Sequence, residues 1–379
     1  DDGSAGVMAR SIEATADGLG KAGPSWRALF GRPSAGFTEL GEDILRPPLH
    51  LPRHPLRLAR FGLPCTLPAT ILARLLPTPQ AKALFGGVAA HAYCPLSQPL
   101  SSAVGVALIS AGHHHGWPVA EGGSGAITAA LAAALSEAGG TVETGARVAT
   151  LGELRGADIV IFDLAPREVL RIAGRALPGR VRAAYRRYRH GPGAFKLDLA
   201  VEGGVPWTNP ACRAAGTVHA IGGFHELVRA EAEINRGRMP DRPFVLVGQQ
   251  HLADPGRSAE DLHPLWAYAH VPAGYAGDAT GAMLAQIERF APGFHERIVA
   301  TAVRSTADLA DHNPNFVGGD ILGGANSPIQ IGIRPRLALD PYSCGVGGLY
   351  ICSAATPPGP GVHGMGGYHA ARSALRGLD

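Results

Sequence analysis

The sequence predicts a mixed α/β protein in which an antiparallel sheet interrupts separated α/β segments. Three observations predict it. Ala157-Asp158-Ile159-Val160-Ile161-Phe162-Asp163 is a near-continuous apolar run, the mark of a strand covered on both faces. Phe195-Lys196-Leu197-Asp198-Leu199-Ala200-Val201-Glu202 alternates apolar with mostly polar residues, as a half-buried antiparallel strand does. Near the end, Gly348-Leu349-Tyr350-Ile351-Cys352 reads as a short buried strand. It leads into Gly359-Pro360-Gly361-Val362-His363-Gly364, which fits G-x-G-x-x-G, and then into a helix with Tyr368, Ala371, Leu375 and Leu378 on one face.

Composition frames these elements. A chain of 379 residues is long for a single core, so one large domain or two interleaved ones are expected. The 46% hydrophobic fraction and the balance of 34 basic against 31 acidic residues describe a water-soluble globular chain. No stretch reaches the roughly 18 apolar residues of a membrane helix. Glycine, at 52 residues, is about twice its usual share of ~7%, which suits many tight turns. The five cysteines Cys65, Cys94, Cys212, Cys344 and Cys352 form no C-x-x-C pair, which predicts reduced thiols in a cytoplasmic setting. The opening DDGSAGVMARSIEATADG lacks an initiator methionine and reads as mid-domain, so residues are expected to precede Asp1.

Taken in order, residues 1–112 are mixed and proline-rich, with GVMARS as a candidate strand and short helices around Pro47 to Pro79. After Trp117-Pro118 the texture is α/β. Ser124 is the expected N-cap of a helix with Ile127, Leu131 and Leu135 on one face, closed by Gly139-Gly140. Thr141 to Thr144 and Ala146 to Val148 read as strands. Thr217 to Ile221, Phe244 to Gln249 and Leu265 to Val271 continue the antiparallel region. A helix with Met283, Leu284, Ile287 and Phe290 follows them.

The terminal glycine loop cannot head its own dinucleotide domain. A βαβ unit needs roughly 30 residues and an acid about 20 positions after the glycines. Only 15 residues follow Gly364, and Asp379 is the sole acid among them.

Together, GWPVAEGGSGAITAALAAALSEAGGTVETGARVATL, ADIVIFDLAPREVLRIAG, HNPNFVGGDILGG and GLYICSAATPPGPGVHGMGGYHAARSAL resemble the phytoene desaturase-related FAD-dependent oxidoreductases. That family sits with the carotenoid desaturases and flavin amine oxidases. The resemblance runs from about Val7 to Leu375, and the final motif is its most specific part. It implies a split FAD-binding Rossmann-like domain with an inserted substrate domain and a helical lid. Residues 1–112 would be the substrate and lid region, 113–165 the middle flavin piece, 166–345 the substrate domain and 346–379 the terminal flavin piece. It further implies cofactor contacts at Gly122, Gly123, Val148, Ser353, Gly361, Val362, His363, Gly364 and Met365.

The departures are as informative. No strand-borne G-x-G-x-x-G unit is read near the start, so the first βαβ unit of the family is missing. FAD is then expected to be held weakly or not at all by this chain alone. Ala354-Ala355 also stand where many flavoenzymes carry a Gly-Asp.

The implied chemistry is hydride transfer from an apolar substrate C–H to flavin. Candidate bases for the companion proton are His363, His115 and His312. His363 could equally cap the last helix, and HNPNFVGGD reads more readily as a turn than as a catalytic loop. His113-His114-His115 are adjacent and would project apart, so no metal site is expected. The run Arg180, Arg182, Arg186, Arg187 and Arg189 around Tyr185 and Tyr188 fits a solvated helix face, and nucleic acid is not expected.

From Ile44 to Ala120 there is no Asp or Glu, while arginines and leucines abound. That segment is expected either to touch a membrane surface or to form a lid with its arginines in water. Homo-oligomerisation stays open. The contrasting reading is a non-catalytic remnant that binds an apolar ligand or partner without flavin.

Overall fold

The computed structural model describes residues 2–378; Asp1 and the terminal acid Asp379 lie outside the described residues. In the first third, helices α1 (Gly23–Ala35), α2 (Pro79–Ala89) and α3 (Ala103–His115) bury Trp26, Phe30, Phe85, Val106 and Ile109 against one another. Glycine permits the close crossing of α2 and α3, because a Cβ on Gly105 would sit 3.0 Å from the Cβ of Ala89. GVMARS forms no strand; it runs as irregular chain into the helix Ile12–Gly18.

The letters G-x-G-x-x-G do occur near the start, as Gly18-Leu19-Gly20-Lys21-Ala22-Gly23, a match the sequence reading passed over. The segment joins the helix Ile12–Gly18 to α1 and follows no strand, so it lacks the strand–loop–helix context of a dinucleotide fingerprint. Gly23 serves packing instead: a Cβ there would lie 2.4 Å from the Ala16 carbonyl oxygen.

The middle of the chain gives helix α4 (Gly125–Glu137) and strand β1 (Val160–Phe162). Every residue of α4 remains unburied, Leu131 being 68% exposed. Its alanine-rich sequence has high helix propensity. The strands expected at 141–144 and 146–148 are absent. Alternation makes a segment able to pair, but a strand exists only where a neighbour takes its N–H and C=O groups. None among the described residues pairs with 141–148.

Helix α5 (Gly179–Arg187) turns Val181 and Tyr185 into the core and leaves Arg180, Arg186 and Arg187 outside, so the basic run is an outward helix face. A five-stranded antiparallel sheet follows, built from β2 (Gly193–Glu202), β3 (Thr217–Ala220), β4 (Val245–Gly248), β5 (Leu262–Val271) and β6 (Ile298–Arg304) in the order β3-β4-β5-β2-β6. The alternation in β2 does what it predicts. Phe195, Leu197, Leu199 and Val201 enter a core with Met283 and Ile287 of α7 (Thr280–Phe290), the apolar helix expected there. On the other side of the sheet, Phe244 and Leu246 join the helical core together with Phe224 and Leu227 of α6 (Phe224–Ile234). The sheet is therefore a middle layer between the helices of the first third and α7.

After α8 (Thr306–His312), the chain returns to β1 through β7 (Leu349–Ile351) and ends in α9 (Met365–Arg376). β7 pairs in parallel with β1, in the register Val160–Leu349, Ile161–Tyr350 and Phe162–Ile351. Almost 190 positions of sequence thus close on a two-stranded sheet, sealed by Val169, Ala173, Leu177, Val181 and Tyr185. No helix among the described residues is long and apolar enough to cross a membrane.

Candidate functional site

The terminal unit is a strand, a glycine turn and a helix set tightly together. Thr356 donates its N–H and its hydroxyl to the Ser353 carbonyl, at 2.8 and 2.7 Å, and Gly359 N–H follows to the Thr356 carbonyl at 2.8 Å. Gly359 and Gly361 take φ of 109° and 152°, values that a side chain strains to adopt. Gly364 caps α9 in the left-handed region at φ 63°. Gly366 lets the helix start press on the strand end, since a Cβ there would lie 2.5 Å from the Cys352 carbonyl oxygen.

The surface of this turn is open. Gly361 is exposed, and Val362 is 93% exposed. Met365 N–H donates to His363 Nδ1 at 3.1 Å, whereas the N–H groups of Gly366 and Gly367 meet no protein acceptor among the described residues. An unpaired helix start of this kind favours an anionic group. Burial pulls the His363 imidazole below its ordinary pKa, and because Nδ1 accepts from Met365 N–H the proton of the neutral ring sits on Nε2.

Beneath the turn lies Arg334, a cation the sequence reading did not single out. It is buried, donates to the Ala354 carbonyl at 3.3 Å and to Asn326 Oδ1 at 2.7 Å, and forms no ion pair among the described residues. A Cβ on Gly359 would come within 3.0 Å of its Nη1. Burial lowers its pKa, while Tyr188 and Asp320 favour the charge.

The other expected residues lie elsewhere. Gly122 and Gly123 precede α4; Gly122 N–H donates to Asp254 at 3.1 Å, and a Cβ on Gly123 would strike Arg257. Val148 is half-buried in irregular chain. His115 ends α3 edge-on to Phe37, and His312 ends α8 exposed, so no hydrogen bond or ring contact joins the three candidate histidines among the described residues. In HNPNFVGGD, Asn315 braces the β1 exit: its Oδ1 accepts from Ala165 N–H at 2.7 Å and its Nδ2 donates to the Asp163 carbonyl at 3.0 Å. His113 spends both ring nitrogens, on Trp26 Nε1 at 2.9 Å and on the Arg10 carbonyl at 3.1 Å.

A second polar cluster is buried between lid and sheet. Glu231 of α6 accepts from His270 Nδ1 at 2.7 Å, both fully buried, with the Tyr93 ring 3.7 Å and the Phe244 ring 4.6 Å from the imidazole. His91 Nε2 meets His219 Nε2 at 3.1 Å, and Tyr268 contacts His91 Nδ1 at 3.2 Å. The Tyr93 hydroxyl, Glu231 Oε2 and His270 Nε2 are buried without a protein partner. Asn326 links this cluster to the turn, donating to the Ala92 carbonyl at 3.0 Å while accepting from Arg334. One signal was available: Tyr268 and His270 stand two apart on β5 and so share a face.

This cluster makes stability pH-dependent. Burial, then the nearby His270, brings His219 down to about 4, and burial first of all holds His91 well below the ordinary value of 6.5. The unfolded chain takes up protons first as pH falls, so stability is full above about 6.5 and declines toward 4. At about 1.4 kcal/mol per pH unit, His219 alone removes roughly 3 kcal/mol. Denaturant unfolding across this range should show that decline, with a shallower one for His219→Asn.

No family model matches the chain. The structure shares its fold with a putrescine oxidase redesigned for cofactor binding, with a TM-score of 0.50 at 16% identity over 93% of this chain and 75% of that one. In sequence, 93 residues, or 24% of the chain, are 38% identical to the Mus musculus pyridine nucleotide-disulfide oxidoreductase domain-containing protein 2. The Rattus norvegicus protein is 37% identical over the same length. The match spans 16% of each relative's own length.

Proposed function

We propose that the chain is an FAD-dependent oxidoreductase of the phytoene desaturase-related type, acting on an apolar substrate. The observation that carries this reading is the terminal unit. An exposed glycine turn, a helix start with unpaired N–H groups and a buried unpaired guanidinium converge there. Such a cradle fits a planar, electron-accepting ring that gains negative charge. Shared fold with putrescine oxidase and the oxidoreductase relatives support the same class.

When bound, FAD would supply the acceptor for a hydride taken from a substrate carbon. The protein's share is position and electrostatics. Gly359, Gly361 and Gly364 let backbone approach the ring, with Ser353, Val362 and Met365 around them. Gly366, Gly367 and Arg334 favour negative charge, and His363, whose Nδ1 accepts from Met365 N–H, presents Nε2–H as a hydrogen-bond donor to that charge. The lid over the sheet excludes water. Under this reading 113–165 and 346–379 belong to the flavin domain, with 1–112 and 166–345 shaping the substrate side. Amide hydrogen exchange of Gly361, Val362, Gly366 and Gly367 with and without FAD tests it, because a flavin seated there would protect amides that the fold leaves open.

A further inference from the structure

A surface cavity of about 260 Å³ lies between the Arg46–His50 segment and helix α9. Arg46, His50, His369, Arg372 and Arg376 line it, with Asp340 as the only acid. Asp340 is already engaged, by the Ser373 hydroxyl and by Tyr342 N–H at 3.0 Å. None of the three arginines forms an ion pair among the described residues; Arg372 lies over the Tyr368 ring instead, 5.6 Å from its centre. Neighbouring Arg53 and Arg57, by contrast, do reach Glu42 and Glu39. The cavity thus gathers three guanidinium groups against one carboxylate, none of them in an ion pair among the described residues, which is the chemistry of a phosphate site.

Its surroundings are apolar and outward. Leu339, on the cavity wall, is 91% exposed, and a second hollow beside it is lined by Leu49, Ile333 and Leu337, all exposed. Leu51, two residues on from Leu49, is 92% exposed. Single exposed leucines are ordinary, but a cluster around a cationic cavity marks a contact surface.

We propose that this face docks on a bilayer containing anionic phospholipid, with the cavity taking a headgroup phosphate and the leucines entering the acyl boundary. Charge complementarity fixes the occupant. No acid stands between residues 45 and 120, and the arginines line a cavity whose wall includes the exposed Leu339. Such a contact gains from headgroup attraction and apolar burial together. The inference is independent of the flavin reading, although a membrane would deliver apolar substrates.

Vesicle flotation tests it, using phosphatidylcholine alone and phosphatidylcholine mixed with phosphatidylglycerol. The protein should float with the mixed vesicles and much less with the neutral ones. Arg372→Ala and Arg376→Ala should each weaken binding to the mixed vesicles about fivefold, and Arg376→Lys should largely keep it. Leu51→Ser with Leu339→Ser should lower binding to both vesicle types. All four positions are exposed, so cooperative melting should persist and separates lost binding from lost fold. Equal affinity for both vesicles, inorganic phosphate binding without flotation, or a self-association abolished by the leucine changes in place of flotation would each overturn the proposal.

Discussion

Replacing Gly361 with valine is expected to abolish flavin retention and turnover in the flavin-loaded protein while leaving a cooperative unfolding transition. Gly361 sits at φ 152° on an exposed turn, so a β-branched side chain strains the backbone locally. A Cβ there would also lie 2.7 Å from His363 Cδ2 and 3.0 Å from Nε2, pushing aside the imidazole that receives Met365 N–H. Nothing packs on the turn from outside, so the global cost should stay near 1 kcal/mol. Against a planar ligand the same change is severe, because the added methyls occupy the space where the ring must lie. A loss of more than a hundredfold in affinity, about 2.7 kcal/mol, is the expected size. Yellow colour after desalting and a calorimetric scan are the two readings; retained colour with normal turnover would show that the turn faces something else.

The second large effect concerns residues 1–379 by themselves, which are expected to hold FAD weakly. The cofactor's pyrophosphate needs a strand–glycine loop–helix unit whose N–H groups face its charges. Two segments carry the letters. Gly18 to Gly23 joins helix to helix, and Gly359 to Gly364 is the turn we propose for the ring. Each missing charge-assisted hydrogen bond costs roughly 1.5–3 kcal/mol, so several remove decades of affinity. The open edges of β1 and β7, the unburied α4 and the unpaired 141–148 segment lie where such a unit would find partners. Fusing a strand–G-x-G-x-x-G–helix unit ahead of residue 1 should restore flavin absorbance after desalting. Stoichiometric FAD in the unfused chain would refute the assignment of that role.

What the sequence made legible follows from range. β2 announces itself by alternation and β7 by an unbroken apolar run, because each pattern is local and reports a burial that does occur; β1 forms where its run predicts, but the two-sided cover expected of it fails at Ile161, which is 38% exposed. The same local logic misplaced strands at 141–148, where the alternation is real and the partner is not among the described residues. Arg334 and the Glu231–His270 pair were invisible for the opposite reason. Their residues are ordinary in sequence, and only packing of the Asn326–Arg334 segment, α6 and β5 against the first helices brings Arg334 beneath the turn and Glu231 onto His270. His363 was legible as a residue but not as a role. Its Nδ1 caps α9, which puts the ring proton on Nε2, so the capping reading uses the one lone pair that the proton-accepting reading would need.

The most direct measurement is amide hydrogen exchange on the fused, flavin-binding protein, residue by residue, with and without FAD. If the terminal unit cradles the cofactor, Gly361, Val362, Gly366 and Gly367, which are open or unpaired in the fold, should slow by at least tenfold, while exposed amides of β6 stay unchanged. Flavin binding that leaves residues 359–367 exchanging at their free rate would contradict the account.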